Sequence, residues 1–193
     1  MKKVCVFCGS RDGAKPEYVA AARALGAELA RRDLALVYGG GKVGLMGVIA
    51  DAVLEAGGKV YGVMTEFLVA REVAHYGLTE LQVVKTMHER KALMAEMADG
   101  FIAMPGGFGT FDELFEIITW AQLGVHSKPI ALLNTSGYFN PLLQMVDHAI
   151  AEDFVRPEQT GLLLRSDEIS PLLDAMTNHQ APVVEVVLEA KQI

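Results

Sequence analysis

The sequence predicts an α/β protein of the Rossmann-like, doubly wound class, with a mostly parallel sheet and helices on both faces. Short apolar runs alternate with segments of helical spacing along most of the chain, which is typical of repeated strand–helix units. Glycine-containing turns follow three of the apolar runs, and in such sheets the ligand lies beside loops of this kind. With 193 residues, 51% of them hydrophobic, the chain is expected to form a single domain over residues 1–193.

The elements of the first half follow from two periodicities. Runs rich in Val, Leu and Tyr predict strands, and apolar residues at i, i+3, i+4 and i+7 predict helices. The predicted strands are Val4–Cys8, Leu34–Tyr38, Val60–Met64 and Leu81–Val84. The predicted helices are Tyr18–Arg32, the segment from the 39–47 turn to about Ala56, and Met87–Ala98, with a less regular stretch over Thr65–Thr79.

The same two patterns continue in the second half. The predicted strands are Phe101–Met104, Ile130–Leu133 and a short Leu162–Leu164. The predicted helices are one whose apolar spacing begins at Phe111 and that reaches about Leu123, then Leu142–Ile150 and Ile169–Met176. The Val-rich tail after Pro182 has no assigned structure.

Charge and hydropathy exclude several kinds of partner. The formal net charge is −7, and the sequence contains no run rich in Lys or Arg, so we expect neither nucleic acid nor an anionic membrane as a partner. No signal peptide and no apolar run long enough to span a bilayer is found, so a cytoplasmic location is expected.

The two cysteines, Cys5 and Cys8, have the C-x-x-C spacing of redox and metal sites. They lie on a predicted strand, where residues three apart point to opposite faces, so the thiols are expected to diverge. No second pair completes a zinc site. Buried, unpaired thiols are therefore the favoured interpretation, and no metal site is predicted.

The stretch Pro105–Glu113 contains the most informative turn. Three glycines lie between a predicted strand and a predicted helix, where a ligand can approach the backbone closely and where the helix directs free N–H groups at an anion. A phosphate is the anion that such turns most often bind, and a carboxylate, Glu113, stands one turn into the helix. Thr110 and Glu113 also have the spacing of a capping box, so both interpretations stay open.

A second glycine turn, Gly39–Gly44, fits the dinucleotide-binding pattern G-x-G-x-x-G. It follows the second strand instead of the first, and the acidic residue expected about 20 positions on would have to be Glu66, which does not clearly end a strand. Dinucleotide binding, a tight turn that packs a helix on the sheet, and a phosphate or ribose contact all remain open.

Arg90 shares one helical stripe with Met94 and Met97, so it faces inward. Arginine is rarely buried without a partner. Arg90 is expected either to pair with Glu113 or a phosphate, or to extend its guanidinium back into solvent.

The motif Pro105-Gly106-Gly107-x-Gly109-Thr110-x-x-Glu113, with Met87–Lys91 upstream, resembles the Lonely Guy family of cytokinin riboside 5′-monophosphate phosphoribohydrolases. The likeness extends over most of the chain, and the last thirty or so residues carry little of it. Further similar segments are Cys8-Gly9-Ser10 with Tyr18, Tyr38–Gly41 with Gly44–Gly47, and Ile118–Gly124 with Lys128-Pro129.

The resemblance implies hydrolysis of the N-glycosidic bond of AMP or a cytokinin riboside 5′-monophosphate on a Rossmann-like fold, without metal or organic cofactor, by a homodimer. It implies Arg90 and Glu113 as the catalytic pair. The implied substrate-binding residues are Ser10, Gly41, Glu72, Lys91, Gly106, Gly107, Phe108, Gly109, Thr110, Asp112 and Thr119. Family members are sometimes labelled lysine decarboxylases, but the sequence shows no pyridoxal-phosphate signature.

The sequence departs from the family pattern at three places. Phe108 stands where Tyr is usual, Asp112 where Glu is usual, and Met64-Thr65 where Ile-Pro often ends the third strand. None of them affects the implied catalytic pair. The alternatives to an N-glycosidic hydrolase are a non-catalytic nucleotide sensor and an NAD(P)-binding oxidoreductase.

Overall fold

A computed structural model of the chain describes residues 1–70 and 74–181. Within these residues seven strands pair into one sheet, and every pair is parallel. The strands are β1 (Lys3–Phe7), β2 (Ala35–Tyr38), β3 (Val60–Thr65), β4 (Glu80–Val84), β5 (Gly100–Ala103), β6 (Ile130–Leu133) and β7 (Leu163–Ser166). Their order across the sheet is β4-β3-β2-β1-β5-β6-β7.

Helices cover both faces of the sheet and enclose two apolar cores. The helices are α1 (Pro16–Arg31), α2 (Gly44–Glu55), α3 (Glu66–Val69), α4 (Met87–Met97), α5 (Phe108–Gln122), α6 (Asn140–Ala151) and α7 (Ile169–Thr177). Residues of α1, α2 and α7 share one core, whereas α4, α5 and α6 pack on the opposite face. This arrangement confirms the predicted doubly wound fold class.

The side on which successive strands join the sheet changes at β1. Strands β2, β3 and β4 extend the sheet on one side of β1, and β5, β6 and β7 extend it on the other. Parallel strands place their carboxyl ends at one edge, so the loops after β1 and β5 meet there, and the Gly9 amide donates to the Pro105 carbonyl at 3.0 Å. This junction is the switch point at which doubly wound sheets bind ligands.

Most predicted elements are confirmed, with bounds that differ by one or two residues. The stretch Thr65–Thr79 contains the short helix α3, which begins where the Thr65 hydroxyl accepts from the Leu68 amide at 3.3 Å. The last strand is longer than predicted because it continues to Ser166. The tail after Pro182 lies outside the described residues.

The cysteines behave as expected. Both are free and buried. Cys5 faces the core beneath α4 and α5, and Cys8 faces the core beneath α1 and α2, so the strand directs their thiols to opposite sides of the sheet. Among the described residues, no helix is long and apolar enough to cross a bilayer.

Helices α1 and α2 pack closely together at Gly26. A Cβ at Gly26 would lie 2.7 Å from the Ile49 carbonyl oxygen and 2.8 Å from the Ala52 Cβ. Backbone atoms cannot yield as a flexible side chain can. Gly26 therefore sets the distance at which α2 packs on α1 above the sheet.

We expect Gly26→Ala to lower the free energy of unfolding by about 1–2 kcal/mol, because the overlap outweighs the better helix propensity of alanine. Urea unfolding of both proteins measures the change. The control is Ala27→Gly at the exposed neighbouring position, which should cost about 1 kcal/mol through propensity alone. A gain in stability for Gly26→Ala would contradict the close packing.

Candidate active site

The glycine turn after β5 leads directly into α5. Gly107 is the N-cap of the helix, and the first intrahelical bond runs from the Phe111 amide to the Gly107 carbonyl at 3.1 Å. The helix thus begins at Phe108, about a turn earlier than the apolar spacing indicates. The apolar spacing does not reveal this first turn, because neither Phe108 nor Gly109 contributes a buried apolar side chain.

The capping-box interpretation of Thr110 and Glu113 is wrong. Because α5 begins at Phe108, Thr110 already lies in the first turn, where its side chain is buried beneath Gly106. Glu113 points to Arg90 instead of the helix end. A capping box does exist at the start of α4: the Thr86 hydroxyl accepts from the Glu89 amide at 3.1 Å, and Glu89 accepts from the Thr86 amide at 3.2 Å.

Arg90 is buried in the first turn of α4, with 6% of its surface exposed. Its Nε donates to the Val63 carbonyl on β3 at 3.0 Å, and its Nη1 donates to Glu113 Oε1 at 2.7 Å. The expected pairing with Glu113 is confirmed, and the alternative of a guanidinium extended into solvent is wrong. The capping box at Thr86 fixes the helix start that directs Arg90 inward.

The guanidinium also explains one glycine of the second turn. A Cβ at Gly39 would collide with Nη2 of Arg90, so only glycine lets the arginine lie against the end of β2. Gly44, with φ of 59°, is constrained from another side, because a Cβ there would overlap the backbone of Ser10 and Arg11. Both glycines are thus required by packing, without a bound dinucleotide.

Glu113 is held in an environment that opposes its charge. Its side chain is 11% exposed, and burial raises the pKa of the Glu113 carboxyl above its usual value. The nearby Arg90 charge and hydrogen bond lower that pKa, Asp112 raises it, and Lys91 lowers it, but burial prevails. The helix N-terminus alone predicts a carboxylate with a lowered pKa, and tertiary burial reverses that expectation.

The turn around Gly107 has the geometry of an anion cradle. The amides of residues 107–110 precede the first i−4 bond of α5, so the helix itself leaves them available. A Cβ at Gly107 or Gly109 would meet nothing within 4 Å, so these glycines border open space. Gly106 differs, since a Cβ there would overlap Thr110 and the Gly9 amide.

Lys91 lies beside this cradle and pairs with two carboxylates. Its Nζ is 3.2 Å from Asp112 Oδ2 and 2.9 Å from Glu116 Oε1, and its side chain is 11% exposed. These two pairs outweigh burial, so the pKa of the Lys91 ammonium is raised. Glu116 was not among the residues expected from the sequence; its i, i+4 spacing from Asp112 is the signal that could have identified it.

The outer face of α5 carries aromatic side chains. An open groove of about 470 Å³ runs along it. Its lining consists of Phe108, Phe111, Asp112, Phe115, Glu116, Thr119 and Trp120. The Thr119 hydroxyl donates to the Phe115 carbonyl at 2.7 Å. Thr119 lies about 18 Å along the helix axis from Gly107, so one chain does not bring it to the cradle.

Two further expected residues, Ser10 and Gly41, lie in the loops after β1 and β2. Ser10 is exposed in the loop after β1, and Gly41 forms an isolated antiparallel bridge with Ala74. Glu72 lies outside the described residues.

Sequence reasoning also missed the pair of His75 and Asp51. His75 Nε2 lies 2.8 Å from Asp51 Oδ1, and the His75 amide donates to the Gly40 carbonyl at 3.0 Å. These two contacts fasten the segment after Ala74 to α2 and to the second glycine turn. No spacing in the sequence links His75 to Asp51, so no local signal could have found the pair.

The arrangement combines a cradle for an anion with a buried carboxylate one turn further along α5. A phosphorylated ligand held at Gly107 would place its neighbouring atoms near Glu113. In residues 1–70 and 74–181 no group of three or more His, Cys, Asp or Glu side chains could hold a metal ion.

Solved structures with the same fold include two molybdenum cofactor proteins. The carrier protein from Chlamydomonas reinhardtii superposes with a TM-score of 0.70 at 19% identity, over 92% of this chain and 96% of its own. The binding protein from Rippkaea orientalis has a TM-score of 0.69 at 19% identity, over 92% of this chain and 97% of its own. At this identity the likeness concerns the fold alone.

Sequence relatives are much more similar. A cytokinin riboside 5′-monophosphate phosphoribohydrolase of Arabidopsis thaliana is 46% identical over 185 residues, which cover 96% of this chain and 85% of the relative. An enzyme of the same name from Rhodococcoides fascians is 48% identical over 176 residues, covering 91% and 89%. Residues 46–176 also match the family model described as "possible lysine decarboxylase". The chain therefore belongs to the Lonely Guy family, the family that this model and these phosphoribohydrolases represent.

Proposed function

We propose that this protein hydrolyses the N-glycosidic bond of a cytokinin riboside 5′-monophosphate or AMP, and so releases the free base and ribose 5-phosphate. The observation that carries the proposal is the buried Arg90–Glu113 pair beside the open cradle at Gly107. The relatives named above support the substrate class. The reaction belongs to the N-glycosidic hydrolases, and the residues proposed for it need no cofactor.

The cradle would bind the 5′-phosphate of the substrate. Amides of residues 107–110 and the positive end of the α5 dipole favour a dianion at this place. Lys91 would add a full positive charge. Because the Asp112 side chain is 60% exposed, its contact with the Lys91 ammonium can be replaced by one to the phosphate. The contact with Glu116 would hold the ammonium in position.

Glu113 would act on the ribose. Breaking the bond at C1′ leaves the electron pair with the base and develops oxocarbenium character on the sugar, which a carboxylate stabilises. The same carboxylate can accept a proton from the water that attacks C1′, and the departing base takes up one proton in return, so that the elements of water are divided between the two products. Both roles need the ionised form, and Arg90 favours it by charge and by its hydrogen bond. Binding of the remote phosphate would hold the ribose in place for this step.

The outer stripe of α5 would form the interface of a homodimer. Phe108 is 92% exposed and Phe115 is 45% exposed, and both line the groove that contains Thr119. In a dimer through this stripe, Thr119 would lie at the interface, which offers it a role in the partner's site. The buried, unpaired Cys5 and Cys8 support our proposal of a reducing, cytoplasmic location.

Purified protein incubated with AMP or N6-prenylated AMP should release the free base and ribose 5-phosphate in equal amounts. Glu113→Gln and Arg90→Ala should each lower kcat/KM by at least about 100-fold, because each removes charge from the reacting centre. Liquid chromatography of the bases measures the reaction, and circular dichroism checks the fold.

The exposed ion pair of Arg23 and Glu55, with 3.8 Å between Nη1 and Oε2, provides matched controls. Arg23→Ala and Glu55→Gln should retain wild-type turnover. Wild-type activity in Glu113→Gln would refute the assigned role. A protein that binds AMP without releasing base would be a sensor, and thermal stabilisation by NAD(H) would indicate an oxidoreductase.

The pH profile should reveal the raised pKa of Glu113. Since the active form is ionised, kcat/KM should fall as the pH drops through a pKa above the usual glutamate range. In Arg90→Ala, ¹³C NMR of labelled glutamate should show the Glu113 titration at still higher pH, because the stabilising charge and hydrogen bond are gone. An acid limb within the usual range, or no shift relative to Arg23→Ala, would argue against this electrostatic role.

Phe115→Glu should convert the proposed dimer to monomers, because it places two charges in an apolar interface. Sedimentation velocity measures the change in mass. The control is Phe154→Glu, which changes an 84% exposed phenylalanine that does not line the groove on α5 and should leave the dimer intact. A wild-type monomer, or a dimer that persists in Phe115→Glu, would refute the proposed interface.

A further inference from the structure

A tyrosine from a different part of the chain forms a hydrogen bond to the backbone of the phosphate cradle. Tyr138 follows β6, and its hydroxyl donates a hydrogen bond to the carbonyl oxygen of Gly106. The contact joins residues 32 apart in sequence. No spacing argument points to it, and Tyr138 is not among the residues that the family resemblance implies for the site.

The ring of Tyr138 is firmly placed. Its centroid lies 5.8 Å from that of Tyr18 and 5.1 Å from that of Phe139, and both pairs are edge-to-face. The neighbouring turn is also tightly specified, since the Asn134 side-chain carbonyl accepts from the Phe139 amide at 2.7 Å. Ring packing and the hydrogen bond within its own turn therefore position the Tyr138 hydroxyl.

The planarity of the peptide bond links this contact to the ligand side of the turn. In a trans peptide the C=O and the following N–H point in opposite directions. When Tyr138 holds the Gly106 carbonyl, the Gly107 amide of the same peptide must point away from Tyr138. With φ of −103° at Gly107, a Cβ built there would lie on the same side as the N–H, and it would meet nothing within 4 Å.

Without such a restraint this peptide would be free to rotate. It joins two glycines, whose backbone angles are the least restricted of any residues. A flip would turn the Gly107 N–H away from the cradle and put the Gly106 carbonyl oxygen there. A carbonyl oxygen repels a phosphate, whereas an N–H attracts it.

We infer that Tyr138 is a positioning residue for the 5′-phosphate: it fixes the Gly106–Gly107 peptide so that the Gly107 amide donates to the phosphate. Tyr138 touches no substrate in this role and acts only through the peptide. The inference rests on the proposed phosphate site, and it adds a residue from the β6 side of the switch point to that site.

Tyr138→Phe tests the inference, because it keeps the ring and removes only the hydroxyl. Isothermal titration with ribose 5-phosphate should show a Kd about tenfold higher than in the wild type, the loss expected for one hydrogen bond to a charged ligand. The KM for AMP should rise in parallel, with a smaller change in kcat. Turnover of unphosphorylated adenosine, measured as kcat/KM, should stay the same, because that substrate makes no use of the cradle.

The matched control is Tyr61→Phe, which alters a tyrosine of β3 whose ring contacts the Lys3 ammonium, 4.5 Å from the ring centroid. It should leave the Kd of ribose 5-phosphate unchanged. If Tyr138→Phe proves unstable at 25 °C, the titrations are made below its unfolding temperature.

The outcomes separate this inference from the proposed function. A wild-type Kd in Tyr138→Phe, or equal losses of kcat/KM for AMP and adenosine, would overturn the role of Tyr138 while the activity stands. A wild-type protein that releases no base but binds ribose 5-phosphate would refute the reaction, and the titration would still decide the role of Tyr138. If wild-type protein binds no ribose 5-phosphate, the phosphate cradle and the role of Tyr138 are refuted, and release of base still decides the reaction by itself.

Discussion

The ion pair of Arg90 and Glu113 is the interaction on which the candidate site depends. It joins α4 to α5 across the end of the sheet, and a second contact ties Arg90 to β3 through the Val63 carbonyl. A buried charge that loses its partner typically costs a protein about 3–5 kcal/mol. The surrounding backbone is adapted to the pair, since Gly39 leaves room for the guanidinium and the capping box at Thr86 directs the first turn of α4 toward it.

The ion pair also adjusts the chemistry that the fold offers. Burial raises the pKa of Glu113, and the arginine limits that rise. The carboxylate is thereby kept in a poorly solvated place, where a charge acts more strongly on a developing cation than it would in water. Lys91 differs from Arg90 because it pairs with two carboxylates, those of Asp112 and Glu116. Since Asp112 is exposed, the Lys91 ammonium can also interact with an incoming anion.

Topology brings these groups to the cradle. The loops after β1 and β5 meet because the sheet reverses its growth between those strands, and the bond from Gly9 to Pro105 joins them directly. The turn after β2 packs on the same place through Gly44, and Tyr138 approaches it from the end of β6. The turn after β5 is thus contacted directly from the ends of β1 and β6, and the end of β2 supports it through the loop after β1. These contacts explain how a glycine-rich segment can keep a defined shape.

The sequence by itself determined the class of fold, the divergence of Cys5 and Cys8, the glycine turns and the inward direction of Arg90. These features depend on local periodicity, which neighbouring residues in the chain specify. Only the tertiary structure decided that Glu113 pairs with Arg90 instead of capping its helix, that burial raises its pKa, and that His75 and Tyr138 support the site. Each of these features depends on a contact between distant segments or on desolvation. Contacts of this kind and desolvation produce no periodic pattern in the sequence. The physical reason is that a helix start or a strand is encoded locally, whereas the partner of a buried polar group is chosen by the packing of the whole molecule.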